Sequence, residues 1–231
     1  MKKIILLVTL AFVTFTTSEA QDFRLGVQAS PVFSWMTTNQ NTITGKGLNA
    51  GLEVGLLGDY FLKNDHYAIS SGISLALNQG GSLIYSAGGN LFPDAVMSDD
   101  TLYNIGNGSQ VDFSFQYIEV PFSIKLRGGT GDLGYYVQVP YFSLLFPIRG
   151  RADIGVFEDE NIISSVVPFG FTWGLGAGAE YEVNDITFTG GLSYQNSIID
   201  IIKDNGILND GTEEGAKQII NRITLRVGVF F

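Results

Sequence analysis

"QYIEVPFSIKLR", residues 116–127, is the segment whose reading decides the fold. Alternation sets Ile118, Val120, Phe122, Ile124 and Leu126 on one face, opposite Glu119, Pro121, Ser123, Lys125 and Arg127. A period of two is the mark of a strand with two unlike faces. In a water-soluble sheet the proline and the charges would demote the segment to an edge. A strand with its apolar face toward lipid and its polar face toward a barrel lumen accommodates both. Upstream, Val111, Phe113, Phe115 and Tyr117 put apolar residues at odd positions, whereas downstream they fall at even ones. That change of phase predicts a β-bulge at about Tyr117–Ile118.

The same alternation recurs along the chain. In 23–35, Phe23, Leu25, Val27, Phe33 and Trp35 oppose Arg24, Gly26, Gln28, Ser30 and Ser34. Segments 48–60, 66–78, 169–182, 185–195 and 219–231 repeat the pattern, and 134–147 is strand-like with faces blurred by Pro140 and Pro147. Short connections fall at 62–65, 128–133 and 183–184; long ones fall at 36–47, 79–109, 148–166 and 196–218. The expected fold is all-β: a single up-and-down antiparallel transmembrane β-barrel of about eight strands, with short periplasmic turns and long extracellular loops. A soluble lipocalin-like barrel would invert the faces, putting the apolar side within. Polar faces built of Gly, Ser, Thr and scattered charges suit a crowded interior better than a solvated surface. The terminal Phe231 resembles the C-terminal signal of outer-membrane barrels.

Eight strands enclose room for side chains only, and charges there need partners. The candidate lumen charge network is Arg24, Glu53, Asp59, Glu119, Lys125, Arg127, Glu180, Glu182, Arg222 and Arg226. Arg24, Asp59, Arg127, Glu180, Glu182 and Arg226 are expected near the periplasmic ends of their strands, with Glu53 and Glu119 deeper. A solvated rim is the alternative for those at the ends.

Residues 1–20 have the pattern of a signal peptide: Lys2 and Lys3, then "IILLVTLAFVTF", then Ser18-x-Ala20 before Gln21. The barrel domain is expected over 21–231, in the outer membrane. A formal charge of −10 disfavours nucleic acid, which needs clustered Lys and Arg. With no cysteine there is no disulfide framework and no thiol chemistry. The single histidine, His66, lies beside a short turn, and nothing marks a catalytic, cofactor-binding or metal site. The long loops are acidic, but no spacing among their Asp and Glu residues fits a calcium loop. Apolar residues interrupt those loops, and Leu91, Phe92, Ile198, Ile199, Ile201 and Ile202 are candidate partner-binding positions. The alternative is that they extend the flanking strands above the membrane or pack loop on loop.

"YAISSGISLALNQGG", "YIEVPFSIKLR", "GLGAGAEYEV" and "GGLSYQNSIIDI" together resemble segments of the PorT-like outer-membrane β-barrel proteins of Bacteroidota. The resemblance covers most of the chain after residue 20. It implies a non-enzymatic barrel in contact with outer-membrane lipid, inserted by the barrel-assembly machinery through its C-terminal strand. It also implies a protein partner at the loops or turns, with type IX secretion or gliding as the associated process. A narrow transport barrel for small solutes is the other expectation.

Overall fold

The computed structural model describes residues 23–62, 66–209 and 211–231. The expected signal peptide, with its cleavage after Ala20, and most of the 62–65 turn lie outside the described residues. The strands are β1 (Phe23–Thr38), β2 (Ile43–Lys46), β3 (Asn49–Phe61), β4 (Tyr67–Tyr85), β5 (Gly89–Asn90), β6 (Ser109–Thr130) and β7 (Leu133–Ile154). They continue with β8 (Phe157–Asn161), β9 (Gly170–Val183), β10 (Ile186–Ser197), β11 (Gly206–Leu208), β12 (Glu213–Glu214) and β13 (Gln218–Phe230).

Eight of them close a ring in the order β4-β3-β1-β13-β10-β9-β7-β6, with β6 returning to β4, every pair antiparallel. Closure satisfies every wall strand on both sides, as a sheet surrounded by lipid requires. Outward positions are apolar: Leu25, Leu56, Ile73, Phe122, Leu175, Leu192 and Leu225 are all exposed. Phe23, Tyr60, Tyr67, Tyr135, Tyr181 and Phe231 ring the end bearing the short turns. Trp35, Trp173, Tyr194, Phe146 and Phe169 ring the other. Two aromatic girdles around an apolar band are the surface of a membrane barrel.

The lining explains residues 116–127, and it corrects the expected bulge. β6 keeps one phase throughout: Val111, Phe113, Phe115, Tyr117, Glu119, Pro121, Ser123 and Lys125 are all buried. The register does shift beside Tyr117, but the extra residues lie in both neighbours. In β7 the pairing jumps from Gln116↔Arg149 to Tyr117↔Pro147, leaving out Ile148. In β4 it jumps from Ala76↔Tyr117 to Gln79↔Phe115, and there Asn78 takes the left-handed conformation, φ 53°. Asparagine tolerates that region better than most residues. What changes at Tyr117 is the lumen itself, polar on the turn side and apolar on the loop side.

β6 and β7 are 22 residues each, about twice the 9–11 tilted residues that cross a membrane. Their loop-side halves rise beyond the apolar band, where β6 turns Gln110, Asp112, Ser114 and Gln116 outward. The expected long loops are therefore partly strand: 36–38, 79–85 and 148–154 continue the wall. The remaining loop residues fold into a cap, with a small sheet of β12-β11-β5. Beneath it lies an apolar core that includes Leu83, Tyr85, Leu91, Phe92, Phe113, Phe115, Ile162 and Ile202. Phe113 stacks on Phe115 with ring centroids 5.8 Å apart, and Phe92 meets Phe113 edge-on at 6.0 Å.

Candidate functional site

The chemistry-bearing side chains converge in the lumen below that core, in two layers. In the layer nearest the turns, β1 supplies Arg24, β3 Asp59, β6 Lys125 and Arg127, and β9 Glu180. Arg24 Nη2 lies 2.7 Å from Asp59 Oδ2 and 2.5 Å from Glu180 Oε1. Lys125 Nζ bridges the same carboxylates at 2.9 and 2.5 Å, and Arg127 reaches Glu180 Oε2 at 2.7 Å. Ser70 Oγ donates to Asp59. Aromatic faces complete the shell: the Arg24 guanidinium sits 4.3 Å from the Phe230 ring centre, and Lys125 Nζ sits 4.5 Å from that of Tyr136. Glycines make room for Tyr136. A Cβ on Gly178 or Gly191 would come within 2.6 Å of its phenol.

The deeper layer holds Glu53, Glu119, Arg222 and Arg226. Arg222 grips Glu119 with both terminal nitrogens, Nη1 donating to Oε2 at 2.6 Å and Nη2 to Oε1. Its Nη2 also donates to Gln195 Oε1 at 2.7 Å. Gln28 links the other two charges: its Nε2 donates to Glu53 Oε1 at 2.5 Å, and its Oε1 accepts from Arg226 Nη2 at 3.5 Å. Ser74 Oγ donates to Glu53 at 3.0 Å, and Arg226 Nη1 donates to Gln138 Oε1 at 2.5 Å.

Nine of the ten expected network residues are thus in the lumen. Glu182 is not: it is exposed at the rim, where its backbone N–H donates to Asp132. Arg226 lies deeper than expected, level with Gln28 and Gln138. The amides Gln28, Gln138 and Gln195, which splice the charges together, were missed by a reading that looked for charges alone. Their inward phase was the available signal.

The cap relocates the loop candidates. Leu91, Phe92, Ile201 and Ile202 are buried in its core, which removes them from the outer surface; Ile199 is half-buried and Ile198 exposed. Lys203 Nζ donates to Asp94 Oδ2 at 2.8 Å, and Glu160 accepts from the Ser98 N–H at 3.0 Å, so loops from different strands are cross-tied. Asp200 accepts the Gln218 N–H at 2.9 Å, and Glu214 accepts from Ala216 N–H at 2.9 Å and from Gln218 Nε2 at 3.2 Å. Burial pushes both carboxyls up to about 6, and the charge of Asp204 adds to the effect.

Cavities within the polar layers measure about 20 and 10 Å³, the first lined by Gln28, Asp59, Lys125, Gln138 and Arg226. Each has room for about one water. Among the described residues no group of three or more His, Asp and Glu side chains is placed to hold a metal ion. His66 is exposed at the turn end.

Solved structures with similar folds include Neisserial surface protein A, at 15% identity and TM-score 0.45, covering 89% of this chain and 95% of that one. Ail, the attachment invasion locus protein of Yersinia pestis, aligns at 11% identity and TM-score 0.41, covering 91% and 100%. A major outer membrane protein from Thermus thermophilus aligns at 11% and 0.38, covering 89% and 98%. No curated protein matches the chain. The family model described as "outer membrane protein beta-barrel domain" matches residues 19–203. The ring of eight strands, the lipid-facing girdles and this match agree: the chain belongs to the outer membrane protein beta-barrel domain family.

Proposed function

We propose that this protein is a non-enzymatic barrel of the PorT-like kind, a closed platform that meets a protein partner at its extracellular end. The supporting observation is the double closure of its lumen. Above an open mouth of about 290 Å³ lined by Arg127, Glu180 and Glu182, ion-paired side chains close the turn-side half around cavities of about 20 and 10 Å³, and an apolar core seals the loop side. A solute path would have to break both. The partner-facing groups are the apolar residues left outside the cap core: Val96 and Val156, 84% and 89% exposed, with Ile198 and Ile207. The resemblance carried by "YIEVPFSIKLR" points to a secretion or gliding machine as the partner class. The last strand, β13 (Gln218–Phe230), with Phe231 beyond it, is the contact for the barrel-assembly machinery during insertion.

Planar bilayer recording tests the closed lumen, with a flat baseline expected; discrete single-channel steps from the wild type overturn it. Photocrosslinkers at positions 156 and 207 in intact cells test the platform. One discrete adduct is expected, and its absence at both positions counts against a partner there.

A further inference from the structure

We propose that the groove beside Trp35, on the outer wall of the barrel, binds the anionic headgroup of a lipid in the surrounding leaflet. The wall is interrupted there. β3 stops pairing with β1 at Asn49↔Ser34, and beyond Gly47 and Leu48 the chain resumes as β2 against β4. The break leaves a groove of about 500 Å³ between the upper end of β1 and the 40–48 segment. Its position sets its depth in the membrane. The outward residues of β1 run Phe33, Trp35, Thr37, so apolar gives way to polar at this height. On the far side of Trp35, the Tyr194 ring lies 6.4 Å away, and its hydroxyl donates to Asn221 Oδ1 at 2.9 Å. Asn196 and Asn221 extend that polar cluster to Thr37. Paired aromatic and amide groups of this kind mark the headgroup level.

The groove has the chemistry of an anionic amphiphile's complement. Trp35 and Leu48, the latter 56% exposed, offer an apolar wall for the upper acyl chain. Two residues further out stands Lys46, the one charged residue lining the groove. Arg149, Arg151 and Lys203, also at this end, are matched by aspartates, whereas Lys46, like the exposed Lys217 outside the groove, has no carboxylate partner among the described residues. A lysine on a flexible stem at the interface places its ammonium among phosphates. In a chain of net charge −10, an unmatched cation at headgroup depth is a site for negative charge from outside the chain.

The test uses Trp35 as its own reporter. In a Trp173→Phe background, the refolded full barrel is placed in phosphatidylcholine bilayers doped with brominated phosphatidylglycerol or with brominated phosphatidylcholine. The anionic quencher is expected to act at about fivefold lower mole fraction, the factor of one lysine near an anionic surface. Lys46→Gln should abolish that preference, Lys46→Arg should keep it, and inorganic phosphate should not compete. Equal quenching by the two lipids overturns the proposal, as does a preference that survives Lys46→Gln. Competition by inorganic phosphate overturns it too, because the site would then be one for the free anion. Heat-modifiable gel migration confirms that each variant is folded, and none of these outcomes bears on the closed lumen.

Discussion

Replacing Glu119 by alanine leaves the Arg222 guanidinium without its counter-charge in the driest part of the lumen. Glu119 is 0% exposed and Arg222 2%, so water cannot screen the loss. Arg222 loses two charge-assisted hydrogen bonds and keeps the one to Gln195. Its Nε has no partner among the described residues to take up the slack. Breaking a buried pair from one side costs about 3–5 kcal/mol, and the surviving Gln195 bond puts the expectation near the lower end. Glu119→Gln keeps an acceptor but not the charge and should cost about 1.5–3 kcal/mol. Glu119→Leu with Arg222→Leu removes both charges and should cost less than either single change, because no charge is left stranded. Urea unfolding of the barrel in lipid vesicles, followed by gel mobility, measures all three. A Glu119→Ala variant within about 1 kcal/mol of wild type, or a double variant weaker than both singles, refutes the reasoning.

The cap should respond to pH. Asp200 and Glu214 have folded values near 6, above their ordinary ones, so the closed cap holds protons that an opened loop releases. The stability they contribute is fully present below about pH 4 and is lost as pH rises through about 6. The protection factor of the Gln218 amide, its exchange rate divided into the intrinsic base-catalysed rate at each pH, should be larger at about pH 5 than at about pH 8, and the reverse order would contradict this. Phe113→Ala removes the ring between Phe92 and Phe115 and should loosen the cap by about 3–5 kcal/mol. Residues 86–108 should then become protease-sensitive while the barrel stays heat-modifiable and non-conducting. Gly178→Val drives a side chain into Tyr136 and the Gly190 carbonyl, so the folded yield in vesicles should fall sharply. Gly190→Ala, where a Cβ meets nothing within 4 Å, should fold like wild type.

The wall of the barrel was legible in the sequence because lipid imposes a period of two on every strand that touches it. Leu25, Leu56, Phe122 and Leu225 announce their face without help from tertiary context. Above the membrane that pressure ends, and the alternation no longer tells lipid from core. Val111, Phe113 and Phe115 look lipid-facing by composition yet line the cap core, so a uniform strand imitates one that shifts phase. The same ambiguity leaves Leu91, Phe92, Ile201 and Ile202 open between partner binding and loop-on-loop packing, and the cap core settles it for packing. An apolar residue in a loop has two ways to avoid water, and only the fold says which it takes. Charges in the lumen were visible because they are rare in strands, but Gln28, Gln138 and Gln195 carry no such flag.

The lumen network also bears on how the barrel is made. Arg24 and Glu180 are 156 residues apart in the chain, Arg222 and Glu119 are 103 apart, and Arg226 and Gln138 are 88 apart. The β1–β3 hairpin can bring Arg24 to Asp59 by itself, but none of these three longer pairings joins neighbouring strands. Neighbouring strands can offer Arg222 the Gln195 amide and Arg226 the Gln28 amide, but in a half-built sheet the partners that lie across the lumen, Glu119 for Arg222, Arg24 for Glu180 and Gln138 for Arg226, are out of reach. Their dehydration must wait until the first and last strands meet, and contacts so distant in sequence form late. The ion pairs therefore make closure all-or-none: a partial barrel stays wet and open to rescue or degradation, and only the finished ring can dry its interior.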